Sequence, residues 1–193
     1  MEFVTENTAQ ATAKPFHYTL LLDASGSMND EPWKNLLDGV REFIKIRIDS
    51  SSSDRITIIV FDSHTKYAYV DEDIKSVDIP QITFTNGGTD FGNAFDLVIK
   101  TIRSTQLQSS TYNPCGHSDY IIIFMSDGQA EFSSSQMKAL STMKYTIDQF
   151  WTVALGNTSM GVLQRINEKM DGTLKELKDS ADFISVYAEI ARN

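Results

Sequence analysis

Apolar and polar positions along this chain follow two alternating patterns. Runs at 16–23, 54–62, 119–126 and 149–155 are almost continuously apolar and rich in β-branched and aromatic residues. Runs of that kind predict strands buried on both faces, the hallmark of a parallel sheet. Between them, apolar residues recur at helical spacing. Leu36, Leu37, Val40, Phe43, Ile44 and Ile48 make one stripe, in a helix opening near Pro32, which a first helical turn tolerates. Phe91, Phe95, Val98, Ile99 and Ile102 make a second, opened by Gly87-Gly88-Thr89-Asp90 after a short extended stretch, with Asp90 as the predicted N-cap. Helices are predicted again around 134–146, 159–170 and 180–192, the last presenting Phe183, Ile184, Tyr187, Ile190 and Ala191 on one side. A short strand is predicted at 173–177.

One segment breaks the alternation. After the strand at 54–62 a short Asp-Ser-His link leads into 65–70, which reads as a hairpin partner and hence as an antiparallel edge strand. The whole predicts an α/β fold: a doubly wound, mostly parallel central sheet with one antiparallel edge strand and helices on both faces. Residues 1–14 are polar, with Thr and Ala prominent, and read as a flexible N-terminal tail. Residues 15–193 read as one domain.

Composition narrows the function classes. The 193 residues are 41% hydrophobic and 22% charged, ordinary globular values, in a chain long enough to bury a core without disulfides. A net charge of −9 argues against a nucleic-acid partner, which needs clustered Lys and Arg. Cys115 is the only cysteine, so no internal disulfide forms. The N-terminal stretch has no basic start and no apolar core of signal-peptide length. No apolar run approaches a membrane span, so a cytosolic location is expected. Asn157-Thr158-Ser159 matches a glycosylation acceptor, a tripeptide too frequent by chance to carry weight.

The chemistry concentrates where strands are predicted to end. Asp23 closes the first apolar run and leads into Ala24-Ser25-Gly26-Ser27, Thr89 follows a Gly-Gly turn, and Asp127 closes the run at 119–126 within Ser-Asp-Gly. Open α/β sheets bind ligands at that edge. Ser25, Ser27 and Thr89 offer neutral hydroxyls, and Asp23 and Asp127 offer carboxylates. An all-oxygen set without His or Cys suits Mg²⁺, with Mn²⁺ or Ca²⁺ as alternatives, and disfavours zinc. Each part alone is an ordinary turn or strand end; five oxygen donors at three ends of one sheet edge make a site. Asp23 and Thr89 are expected at the rim of the fold, outside its core.

Asp23-x-Ser25-x-Ser27, Thr89 after Gly-Gly and Asp127 in Ser-Asp-Gly resemble the metal-ion-dependent adhesion site of the von Willebrand factor A domain family, which includes the integrin inserted domains. The resemblance spans residues 15–192 in element order as well as motif. It implies a Rossmann-like fold with Mg²⁺ at the top of the sheet, held directly by Ser25, Ser27 and Thr89, with Asp23 and Asp127 acting mostly through water. It implies a protein ligand that presents an Asp or Glu to the ion, and a switch in which the final helix shifts as the metal shell rearranges. No membrane insertion is implied, and oligomeric state is open. Asp30 and Glu31 stand at a spacing similar to that of a second calcium site in integrin β-subunit domains, but acids at a helix start favour the macrodipole in any case.

Two other functions compete. A metal-dependent hydrolase or phosphatase of haloacid-dehalogenase type shares the fold and the first Asp, but needs a second Asp where this chain has Ser25. A P-loop is absent from the sequence, and neither Ser25 nor Ser27 has a His evidently placed to serve as its base. The second competitor is a metal-independent assembly domain that works through its helix faces. A non-enzymatic binding module is the expectation. His17, His64, Cys115 and His117 are read as structural or incidental.

Overall fold

Eleven main elements follow in order: β1 (Phe16–Asp23), α1 (Glu31–Ser50), β2 (Arg55–Phe61), β3 (Thr65–Asp73), α2 (Phe91–Tyr112), β4 (Asp119–Ser126), α3 (Ser134–Ser141), β5 (Ile147–Leu155), α4 (Met160–Lys169), β6 (Thr173–Leu177) and α5 (Phe183–Arg192). They come from a computed structural model that describes residues 15–50, 53–112, 119–128, 130–156 and 160–193. The predicted tail at 1–14, the loop carrying Cys115 and His117, and Asn157-Thr158-Ser159 lie outside those residues.

The strands form one sheet in the order β3-β2-β1-β4-β5-β6. Every neighbouring pair is parallel except β2 with β3, which is antiparallel. The predicted doubly wound sheet with one antiparallel edge is therefore the observed, Rossmann-like one. Alternate residues of each strand face opposite layers, as the pleat requires. Tyr18, Leu20 and Leu22 join Ile56, Ile58, Val60, Ile121 and Ile123 beneath α1 and α5. Leu21, Ile59, Phe61, Ile122 and Phe124 face the opposite layer, with α2, α3 and α4. Continuous apolar runs in sequence are thus strands covered on both sides.

Close helix packing makes the first layer tight. A Cβ on Gly39 of α1 would lie 3.1 Å from the Phe183 carbonyl and 3.1 Å from the Tyr187 ring of α5. The missing side chain therefore lets the two helices approach. Phe183, Tyr187, Ile190 and Ala191 are buried in that seam, but Ile184, expected on the same side, is 45% exposed, and Ala188 is the buried residue instead.

Other boundaries differ for local reasons. The helix predicted at 134–146 stops at Ser141 and gives way to a 3-10 turn, Lys144–Thr146. There the Ser141 and Thr142 hydroxyls donate to the carbonyls of Lys138 and Ala139, a competition with helix bonding that favours an end. The final helix begins three residues later than predicted, after a 3-10 turn at Ser180–Asp182 capped by the Asp179 side chain. Two 3-10 turns, Ile74–Ser76 and Ile79–Gln81, occupy part of the stretch before Gly87. β3 runs past the predicted 65–70 to Asp73, with a register irregularity opposite Ile56–Ile58 and a left-handed Asp71 (φ 46°). Its exposed residues are polar apart from Val70, as suits an edge strand that faces water.

Candidate metal centre

The sheet order places the site before any side chain is considered. From β1 the chain builds outward through β2 and β3, then returns to add β4 on the other side of β1. The crevice between the C-terminal ends of β1 and β4 is the topological switch point, where such sheets bind ligands. Asp23 is the last residue of β1, and Asp127 follows the last residue of β4.

Asp23 is fully buried, not at the rim as expected. Its Oδ1 accepts the Ser25 amide at 2.9 Å, and its Oδ2 accepts the Ser126 hydroxyl at 2.6 Å. Burial pushes its carboxyl up to about 6, and the nearby Asp127 carboxylate adds to the rise. Hydrogen bonds from Ser126 and from the hydroxyl and backbone of Ser25 oppose it. The opposing groups are neutral donors, so a cation in the crevice would complement charge that they only partly offset.

The Ser25–Ser27 loop is rigidly held. Ala24 and Met28 on either side are fully buried, and residues 26–28 form a 3-10 turn closed by the Met28 amide on the Ser25 carbonyl at 2.9 Å. Ser25 is buried and Ser27 exposed, and their hydroxyl oxygens lie 3.2 Å apart. Adjacent ligands of an octahedral Mg²⁺ at about 2.1 Å sit about 3 Å apart. The pair fits that edge within a few tenths of an ångström, so the donor set suits the ion in chemistry and in spacing.

Thr89 reaches the same edge through its loop. Gly87 pairs with Ser25 in a bridge outside the main sheet, the Gly26 amide donates to the Gly87 carbonyl at 2.9 Å, and the Asn86 amide donates to the Ala24 carbonyl at 3.0 Å. Thr89, two residues on, is half-buried. Asp90 caps α2 as predicted, its Oδ1 accepting the Asn93 amide at 3.1 Å. Asp127 is buried and acts electrostatically on Asp23.

Asp30 and Glu31 are exposed at the start of α1. Asp30 takes a hydrogen bond from Asn29 at 2.8 Å, and its carbonyl accepts the Lys34 amide. Among the described residues no group of three or more His, Cys, Asp and Glu side chains is arranged to hold a metal, so the candidate centre is the mixed hydroxyl and carboxylate set. His17 is buried, its Nε2 paired with the Thr57 hydroxyl at 2.9 Å, and His64 is exposed on the β2–β3 link.

Ser126 is the residue that sequence reasoning passed over. Its hydroxyl donates to Asp23 and accepts the Gly128 amide at 3.0 Å, so it ties the two strand ends together. Its place inside Ser-Asp-Gly was the available signal, but a strand-terminal Ser is unremarkable until β1 and β4 are known to be neighbours.

Among solved structures, a von Willebrand factor type A protein from Catenulispora acidiphila superposes with a TM-score of 0.70 at 14% identity, covering 92% of this chain and 42% of that one. An aerotolerance-related membrane protein from Bacteroides fragilis gives 0.59 at 15%, covering 92% and 98%. The N-terminal domain of TFIIH p34 gives 0.64 at 14%, covering 91% and 97%. At such identities these likenesses establish the fold, and this chain spans less than half of the Catenulispora protein. No curated protein sequence matches. No helix among the described residues is long and apolar enough to cross a membrane. The family model described as the von Willebrand factor type A domain matches residues 18–129, a span that holds all five candidate ligands, and the chain belongs to that family.

Proposed function

We propose that this domain, of a family that generally serves protein–protein interaction, binds its partner through a divalent cation. Ser25, Ser27 and Thr89 would hold Mg²⁺ through their hydroxyls, and Asp23 and Asp127 would act mostly through water, with Mn²⁺ or Ca²⁺ as alternative occupants. When bound, the ion supplies a positive centre able to take an Asp or Glu carboxylate from a partner protein. The observation that carries the reading is the Ser25–Ser27 hydroxyl pair, 3.2 Å apart directly beside a buried Asp23.

The protein's residues do the rest. Ser126 and the Ser25 amide orient Asp23, and the buried Ala24 and Met28 fix the serine loop. With neutral hydroxyls as direct ligands, little negative charge reaches the ion, which keeps it attractive to an incoming carboxylate. The net charge of −9 does not prevent this. Screening over about 8 Å weakens the global field, whereas a cation acts at bonding distance.

A binding role is favoured over hydrolysis because Ser25, a neutral hydroxyl, stands where the phosphatase acid would be. The test is partner capture from source-cell extract in Mg²⁺ against EDTA, with Thr89→Ala as control. Capture in Mg²⁺ that is lost in EDTA and in Thr89→Ala is expected. Capture that survives both would replace this reading with metal-independent assembly, and turnover of phosphate esters by the purified chain would replace it with a hydrolase.

A further inference from the structure

The loop that carries Thr89 is gripped from two sides, and only one of them belongs to the serine loop. On that side the contacts are the Ser25–Gly87 bridge and the hydrogen bonds of Gly26 and Asn86. The other side is formed by Asp62, the residue after β2, which is only 4% exposed. Its backbone carbonyl accepts the Asp90 amide at 2.9 Å, just past Thr89. Its carboxylate lies directly against Gly87: a Cβ built there would overlap Oδ2 and sit 2.6 Å from Cγ of Asp62.

The carboxylate is itself immobilised. Its Oδ1 accepts the His64 amide at 2.5 Å, while the Asp62 amide donates to the His64 carbonyl at 2.8 Å, so the hairpin link closes around its own side chain. A rigid, buried surface therefore lies under the first glycine of the Gly87-Gly88-Thr89 turn. Gly87 can have no side chain because Asp62, with the Ser63 hydroxyl beside it, occupies that volume.

We propose that Asp62 is a positioning residue for the cation site, setting by contact with Gly87 the height at which Thr89 stands relative to Ser25 and Ser27. The inference rests on the cation-site reading above and adds a residue that the ligand motif does not contain. Asp62 works through shape and through its fixed hydrogen bond, not through its charge. Asn has the same outline and can accept the same His64 amide, so it should serve equally well. Alanine removes the surface under Gly87 and leaves only the backbone bond from the Asp90 amide to hold the loop on that side. Residues that orient ligands from behind typically contribute about ten- to a hundredfold to metal affinity.

Calorimetric titration of the full chain with MgCl₂ or MnCl₂ alone tests this on wild type, Thr89→Ala, Asp62→Ala and Asp62→Asn, with circular dichroism to confirm folding. Asp62→Ala should bind about tenfold more weakly, and Asp62→Asn should restore the wild-type affinity, a rescue that general destabilisation would not produce. If wild type and Thr89→Ala differ but Asp62→Ala matches wild type, the role of Asp62 is overturned and the cation site stands. If Asp62→Asn is as weak as Asp62→Ala, positioning by shape is overturned in favour of charge. If wild type takes up no cation, the site reading itself falls. Should Asp62→Ala not fold, Gly87→Ala probes the same contact from above: it should weaken binding about as much, and unchanged affinity would overturn the proposal.

Discussion

Arg47 gives the sharpest quantitative test of how this domain is held together. It lies on α1, buried, with Nε 2.9 Å from Asp54 Oδ2 and a second nitrogen 2.8 Å from the same oxygen. A third nitrogen donates to the Ala191 carbonyl of α5 at 3.1 Å, and the guanidinium stands over the Phe16 and Tyr18 rings of β1. Asp54 is fully buried and also accepts the Phe16 amide at 3.0 Å. One ion pair therefore joins α1, the start of β1, the entry to β2 and the end of α5, the helix that the family resemblance makes the moving part. Arg47→Met keeps the apolar stem but strands the Asp54 charge. Breaking a buried pair by removing one partner costs about 3–5 kcal/mol, which at this length lowers the melting temperature by roughly 10 °C. Urea denaturation of wild type, Arg47→Met, Asp54→Asn and the double variant measures it. The double variant should be more stable than Arg47→Met, because it no longer buries an uncompensated carboxylate. A loss below about 1 kcal/mol in Arg47→Met, or a double variant no more stable than that single one, would refute the argument.

Two further outcomes are expected. Ser126→Ala removes a charge-assisted bond to Asp23 and strands the Gly128 amide, and should cost about 1.5–3 kcal/mol in chemical denaturation, with Ser126→Thr recovering most of it. His17 is held down to about 4, chiefly by burial and partly against the pull of Asp71, so the fold favours its neutral form. Its stabilising effect is full above the unfolded value of about 6.5 and is lost as pH falls from there toward 4, up to ~3 kcal/mol in all. The stability difference between wild type and His17→Gln should therefore shrink by about that amount between pH 7 and pH 4. Asp23, with its raised pKa, contributes in the opposite direction, giving stability at low pH that is lost as pH rises through about 6; the difference measurement cancels it. A difference that stays constant across the window would contradict the burial account of His17.

Periodicity reports each element's own surroundings, and this explains what the chain disclosed before its structure. Strands such as β1 and β4 announce themselves because both faces are covered, and a carboxylate at the end of such a run is conspicuous. That is why Asp23 and Asp127 could be placed at one sheet edge, and why Asp90 could be recognised as a cap. Pairings between distant segments leave no comparable trace. Ser126 serves Asp23 across 103 positions, and only the parallel register Leu22 with Met125 brings the two level. Asp62 reads locally as part of a hairpin turn, and its contact with Gly87 exists only because the 86–90 loop folds back over β1 and β2. Arg47 stands between Ile44 and Ile48 of an apolar stripe, and only the fold brings the buried Asp54 to it. Ile184 shows the reverse case: an apolar residue at plausible spacing lies outside the seam because Gly39 draws α5 in on Phe183 and Tyr187. The motif therefore names the candidate ligands, and the topology determines which residues hold them still. Variants in the second group, Ser126 and Asp62, separate the fold's contribution to the site from that of the ligands themselves.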